Sequence, residues 1–180
     1  MPNPRIIVVT GANRGIGEGI CKLILSRPGI EPLKLFAASR SGAHLGFKSS
    51  DESRQVLYPK LDIADKSSIT ALATEVRQHG PVDVLINNAG INLDNEYGYD
   101  NAKKTLEVNY QGTLEMCRAF IPLLSPQGRI VNLSSVGSTL KPYSEDVKAR
   151  FRNADNTVDD LDRIAAEYMV STSFCTCKPA

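Results

Sequence analysis

Three glycines, at positions 11, 15 and 17, follow an apolar, largely β-branched run from Ile6 to Val9. The run reads as a buried strand. Beyond the glycines a helical pattern opens through Ile16, Ile20, Leu23 and Ile24. Strand, glycine turn and helix together form the layout of a phosphate site. Glycine lets the backbone turn tightly and approach a ligand with no Cβ in the way. A helix N-terminus offers free N–H groups and about half a positive charge to an anion. The spacing G-x-x-x-G-x-G is a variant of the dinucleotide fingerprint. It is not a P-loop, because Gly19 is trailed by Ile20, Cys21 and Lys22 rather than by Lys-Ser/Thr.

Other polar stretches stand where strands are expected to end: Asp62-Ile63, Asn87-Asn88-Ala89-Gly90 and Ser134-Ser135. In an open α/β sheet, ligands sit beyond the carboxyl ends of the strands. These stretches and Thr10-Gly11 are therefore expected to share one crevice.

The elements that must position them alternate along the chain. Leu33 to Ser39 reads as a second strand, ending in Arg40, and Ser41 to Arg54 as a loop or short helix. Val56 to Ile63 reads as a third strand, with Pro59 suggesting an edge. Asp65 can cap a helix whose apolar face is Ile69, Leu72, Ala73 and Val76, stopped by His79-Gly80-Pro81. Asp83 to Asn87 is a fourth strand. A long helix is expected from about Asn101 to Leu124, ended by Pro126-Gln-Gly128, with a fifth strand from Arg129 to Ser134. Alternating β and α argue for a parallel sheet with helices on both faces. After Ser135 the pattern turns helical: a polar segment over 144–153, then an amphipathic helix over 157–170. The latter opens on a capping-box-like Thr157-x-x-Asp160. Residues 171–180 show no periodicity and are expected to be a disordered tail.

At 180 residues, 42% hydrophobic and 23% charged, the chain has the composition of one soluble globular domain. A net charge of +1 gives no electrostatic case for nucleic acid or a membrane surface. No apolar run approaches the ~18 residues of a membrane span. Met1 to Arg5 leads straight into the first strand with no signal peptide. The four cysteines make neither a disulfide framework nor a metal site. Cys21 and Cys117 fall in apolar helical patterns, as buried thiols do.

Four motifs then occur in order: Thr10-Gly-x-x-x-Gly15-x-Gly17, Asn87-Asn-Ala-Gly90, an isolated Asn109, and Val131-Asn-Leu-Ser-Ser135. Together they resemble the short-chain dehydrogenase/reductase family, over roughly residues 5 to 140. The segment after Ser135 resembles the insertion of its carbonyl reductase subgroup. The resemblance implies a Rossmann-like, doubly wound parallel α/β sheet. It further implies a cytoplasmic, monomeric enzyme that uses NADP(H) to reduce ketone, aldehyde or quinone carbonyls of small molecules by hydride transfer. Residues 1–140 would be the NADP(H)-binding domain and 141–170 a helical insertion within it.

On the same resemblance, Gly11, Asn13, Arg14, Gly15, Ile16 and Gly17 match the phosphate loop. Arg40 stands where NAD-selective members place an acid. Singly, each arginine reads as a solvated surface charge; paired at the ribose site, Arg14 and Arg40 favour a 2′-phosphate. Asp62 matches the residue that binds the adenine amino group, with Ile63 beside the ring. Asn88, Ala89 and Gly90 match the wall of the nicotinamide ribose, and Asn87 reads as a brace between strands. Ser135, in preference to Ser134, matches the serine that polarises a carbonyl. Asn109 matches the asparagine that holds a water in the proton relay.

The family also needs a Tyr-x-x-x-Lys pair, in which lysine makes the phenol an acid–base near neutral pH. Tyr143 is followed four residues on by Val147, and Tyr168 by Thr172. The pair is therefore expected to be absent, together with the sixth and seventh strands, from a C-terminally truncated chain whose last ten residues are of separate origin. The alternative function is then a non-catalytic NADP(H)-binding fragment.

Overall fold

The computed structural model describes residues 3–29, 32–49, 51–93 and 98–174. Five strands form one parallel sheet: β1 (Arg5–Thr10), β2 (Leu33–Ala38), β3 (Arg54–Leu57), β4 (Val82–Asn87) and β5 (Leu124–Asn132). Their order is β3-β2-β1-β4-β5. Helices α1 (Gly15–Ser26), α2 (Lys66–Arg77), α3 (Tyr99–Leu106), α4 (Thr113–Phe120), α5 (Glu145–Arg152) and α6 (Val158–Phe174) complete the fold. This is the Rossmann-like α/β architecture.

Side chains alternate across a strand, and here both faces are buried. Ile6, Val8 and Phe36 pack with Ile69, Leu72 and Val76 of α2 and with Met116 and Phe120 of α4. Ile7, Val9, Leu33 and Leu35 face the other way, onto Cys21 and Leu25 of α1. Two covered faces are why these strands read as continuous apolar runs. Asp65 caps α2 as expected, accepting from the Ser67 N–H at 2.8 Å. Thr157 and Asp160 exchange the capping-box bonds that start α6.

Three boundaries differ from the expected ones. The third strand ends at Leu57, ahead of Pro59, which has no N–H for a ladder; contact resumes as a single bridge between Ser39 and Lys60. The expected long helix is interrupted by a π-helical stretch, Glu107–Gly112, and finished by a 3₁₀ turn, Ile121–Leu123. The fifth strand starts at Leu124, so Pro126-Gln-Gly128 lies inside it. There the register slips between the pairs Val82–Leu124 and Val84–Arg129. A Cβ at position 128 would stand 2.8 Å from the Val82 carbonyl oxygen, so the irregularity needs glycine.

The chain divides into two compact units. One is the sheet unit, up to Ile91 and from Glu107 to Leu133. The other is helical, Asn92–Leu106 and from Ser134 onward. In the helical unit α3 packs on α6, and Arg150 forms a two-point ion pair with Glu167. Its last helix runs to Phe174, so the expected tail begins no earlier than residue 175; residues 175–180 lie outside the described ones.

Candidate functional site

The hydroxyl of Thr10, at the end of β1, organises the site. It is buried, and its Oγ1 accepts from the N–H groups of Asn88 at 3.0 Å and Ala89 at 2.9 Å. In return the Asn88 amide nitrogen donates to the carbonyls of Thr10 (2.9 Å) and Gly11 (3.2 Å). The turns after β1 and β4 are thus locked together. Gly11 and Gly15 sit at φ +68° and +57°, where L side chains are strained. A Cβ on Gly17 would collide with the Gly11 carbonyl and stand 2.5 Å from Asn88 Nδ2. Gly11 and Gly17 therefore make the lock possible, and Gly15 fronts open space, with nothing within 4 Å of its Cβ position.

A cleft of about 570 Å3 lies over these strand ends. All twelve residues expected to bind the cofactor line it: Gly11, Asn13, Arg14, Gly15, Ile16, Gly17, Arg40, Asp62, Ile63, Asn88, Ala89 and Gly90. Arg14 and Arg40 are exposed. At the N-cap of α1, Arg14 makes no side-chain cap bond, so none of the first free N–H groups of α1 is taken by it. Asp62 Oδ1 accepts from the Ala64 N–H at 3.0 Å, which fixes the turn after β3. Ser39, Ser41, Leu61, Ile91 and Val108 also line the cleft and were not expected. Ser41 and Ile91 directly follow predicted residues, so their positions carried a signal; Val108 carried none.

Asn109 is not among the lining residues. Its side chain donates to the Ile91 carbonyl and accepts from the Ile91 N–H, both at 2.8 Å. That pair of bonds spans 18 residues and falls at the π-helical stretch. Asn87 braces β4 to β5 as expected, donating to Asn132 Oδ1 at 2.8 Å.

Ser135 belongs to the helical unit. It is exposed, and its Oγ accepts from the Gly137 N–H at 2.9 Å, starting a 3₁₀ turn over Val136–Ser138. Ser134 Oγ donates to Ser138 Oγ at 3.0 Å. The expected absence of the Tyr-x-x-x-Lys spacing needs correcting. It occurs once, at Tyr99 and Lys103 in α3, ahead of Ser135 in the chain rather than after it. Tyr99 is 45% exposed. Among the described residues no group of three His, Cys, Asp or Glu side chains could hold a metal ion. No described helix is long and apolar enough to cross a membrane.

A family model described as short chain dehydrogenase matches residues 5–147. The chain belongs to that family. Among curated members, carbonyl reductase [NADPH] 1 of Bos taurus is 33% identical over 173 residues, covering 93% of this chain and 62% of that protein. The (+)-neomenthol dehydrogenase of Arabidopsis thaliana is 35% identical over 202 residues, covering 92% and 66%. The chain thus spans less than two thirds of the length of either. Salutaridine reductase from Papaver somniferum shares the fold at a TM-score of 0.74 and 23% identity, over 93% of this chain and 70% of that one. An archaeal alcohol dehydrogenase from Thermococcus sibiricus, solved with 5-hydroxy-NADP, matches at 0.57 and 28% identity, over 71% of this chain and 57% of that one.

Proposed function

We propose that this short-chain dehydrogenase binds NADP(H) in the cleft beyond β1, β2 and β4, and serves the reduction of ketone, aldehyde or quinone carbonyls of small molecules. The observation that carries the reading is the cleft itself. It combines open space over Gly15, an N-cap residue that spends no side chain on α1, and two exposed arginines. Its volume of about 570 Å3 falls within the range of ligand pockets. These features fit a dinucleotide carrying a 2′-phosphate.

The glycine turn and the first N–H groups of α1 take the pyrophosphate. Arg14 and Arg40 take the 2′-phosphate, with Ser41 beside them. An acid at position 40 would repel that group. Asp62 accepts from the adenine amino group and Ile63 packs on its ring. Asn88 has its amide committed to Thr10 and Gly11, so with Ala89 and Gly90 it shapes the wall at the nicotinamide ribose. When bound, the reduced nicotinamide supplies the hydride. Ser135 donates its hydroxyl to the carbonyl oxygen and stabilises the developing alkoxide. Asn109 gives one amide N–H and one Oδ1 lone pair to Ile91, so it acts as a positioning residue for the wall beside Gly90 and keeps one donor and one acceptor site for the water of the proton relay. A cytoplasmic, monomeric state is proposed from the likeness to carbonyl reductases.

A second reading, binding without turnover, is favoured by one observation. The Tyr-x-x-x-Lys spacing is not found after Ser135. Two assays run side by side decide between them: NADPH binding by fluorescence, and loss of NADPH absorbance with a quinone or an aldehyde. Binding with turnover supports the reductase. Binding alone supports the second reading. No NADPH binding overturns both.

A further inference from the structure

The turn from Leu61 to Asp65, between β3 and α2, carries both residues proposed to meet the adenine ring, Asp62 and Ile63. Some of its bonds are local. The Ala64 N–H donates to Asp62 Oδ1 at 3.0 Å, and the Asp65 N–H to the Asp62 carbonyl at 3.1 Å. Local bonds close a turn without fixing where it stands. Three other elements do that. The Leu61 N–H donates to the Ser39 carbonyl, just past β2, at 2.8 Å. On α2, Ser68 Oγ accepts from the Asp62 N–H at 3.0 Å. From the π-helical stretch, Gly112 approaches so closely that a Cβ there would stand 2.5 Å from the Ile63 carbonyl oxygen.

Ser68 is half-buried and is the third residue of α2. From that position a capping-box side chain reaches back to the N–H of the cap. Here the cap, Asp65, spends its N–H on the Asp62 carbonyl, and Ser68 reaches past it to Asp62. The start of α2 does not depend on this bond, because the Asp65 carboxylate already accepts from the Ser67 N–H and hydroxyl. What the bond does hold is Asp62. That residue lines the cleft; its Oδ1 is taken by Ala64, and among the described residues its Oδ2 accepts no hydrogen bond. One acceptor is therefore left for a ligand, at a place set by the backbone of Asp62.

We propose that Ser68 is a positioning residue for recognition of the base. By holding the Asp62 N–H it keeps the free carboxylate oxygen at one place in the cleft, so that a purine bearing an amino group is preferred to one bearing a carbonyl oxygen. This role rests on the cleft taking NADP(H) with Asp62 at the adenine, as proposed for it. An amino group donates to the carboxylate; a carbonyl oxygen at the same place sets acceptor against acceptor. Discrimination of this kind needs the wrong partner to be refused as well as the right one bound. A fixed carboxylate does both. A loose one aligns less well with the amino group, and it swings clear of the carbonyl oxygen towards the ring N–H beside it. Ser68 is not among the residues lining the cleft, so it acts only through Asp62.

The test titrates the full chain with NADPH and with reduced nicotinamide hypoxanthine dinucleotide phosphate, in which a carbonyl oxygen replaces the adenine amino group. The parent is expected to prefer NADPH about tenfold, the worth of one hydrogen bond to a charged group. Ser68→Ala suits α2 by helix propensity. In it the preference should fall to about threefold or less, while the preference for NADPH over NADH, set at Arg40, stays within about twofold. Ser68→Thr keeps the hydroxyl and should restore the parent ratio. A merely structural role would weaken both dinucleotides alike. An equal loss, or an unchanged ratio in Ser68→Ala, therefore overturns the role of Ser68 alone. Equal affinities in the parent overturn it together with the placement of Asp62, and no NADPH binding by the parent overturns the reading of the cleft itself. If Ser68→Ala does not fold, Ser68→Cys, whose sulfur accepts only weakly, decides on the same ratio.

Discussion

Thr10 closes β1 and Ser135 stands three residues beyond β5, both with a hydroxyl near a strand's carboxyl end, and the molecule uses them differently. Thr10 is 1% exposed, and its oxygen accepts from backbone groups 78 and 79 residues away. Ser135 is exposed, and its oxygen accepts from an N–H two residues on. The first hydroxyl holds tertiary structure; the second holds one local turn. The same contrast separates the proposed cofactor cleft from the serine proposed to polarise the carbonyl. The cleft is built from long-range contacts within the sheet unit, whereas the serine turn rests on contacts within four residues. A site of the first kind breaks with the fold, and a site of the second kind breaks without it.

The largest effect is expected at Gly17. Gly17→Ala drives a Cβ into the Gly11 carbonyl, which is backbone and cannot swing aside. Overpacking of this kind costs about 2–3 kcal/mol, read as a lower urea midpoint, and NADPH titration should show no saturable binding. Thr10→Val comes next. It leaves the Asn88 and Ala89 N–H groups without their acceptor, at about 2 kcal/mol in urea unfolding, and Thr10→Ser should restore most of it. If Thr10→Val is neutral, the long-range lock is not what holds the cleft.

Arg40→Asp tests the cleft's chemistry rather than its frame. It should leave the unfolding midpoint nearly unchanged and lower the preference for NADPH over NADH by roughly tenfold or more, the worth of one charge-assisted contact. Asp65 is a local contact inside the sheet unit. Its carboxylate is held below the usual range by the Ser67 hydroxyl and then by the Ser67 N–H. A lowered value in the folded state means this contribution is present above the ordinary carboxylate range and fades as pH falls through the folded value. Asp65→Ala should therefore lower the thermal midpoint by a few degrees at neutral pH and by less in acid. The smallest effect is expected at Ser135. Ser135→Ala should shift stability by less than about 0.5 kcal/mol and leave NADPH affinity unchanged, while any NADPH consumption with a quinone falls steeply. A stability loss as large as that of Thr10→Val would erase the contrast between the two hydroxyls.

Much of the sheet unit is legible in the sequence because its signals are local. Ile6 to Val9 is apolar on both strand faces, Asp65 precedes a clear 3.6-residue stripe, and the glycine spacing stands next to both strand and helix. What the sequence hides depends on distant partners. Pro126-Gln-Gly128 carries the composition of a breaker, yet Gly128 lies against the Val82 carbonyl and the strand continues through it. Asn109 gives no sign of the break in its helix, because the groups it binds belong to Ile91. Thr10 looks like an ordinary strand-end threonine until Asn88 and Ala89 are brought beside it. The Tyr99–Lys103 spacing is legible, but it stands ahead of Ser135, where the family pattern does not place it.

The central claim is that the cleft beyond β1, β2 and β4 takes a dinucleotide by its 2′-phosphate. Calorimetric titration of the 180-residue chain with NADPH and with NADH tests it most directly. The account predicts one site and an affinity for NADPH at least about tenfold above that for NADH. Equal affinities, or a preference for NADH, would contradict it.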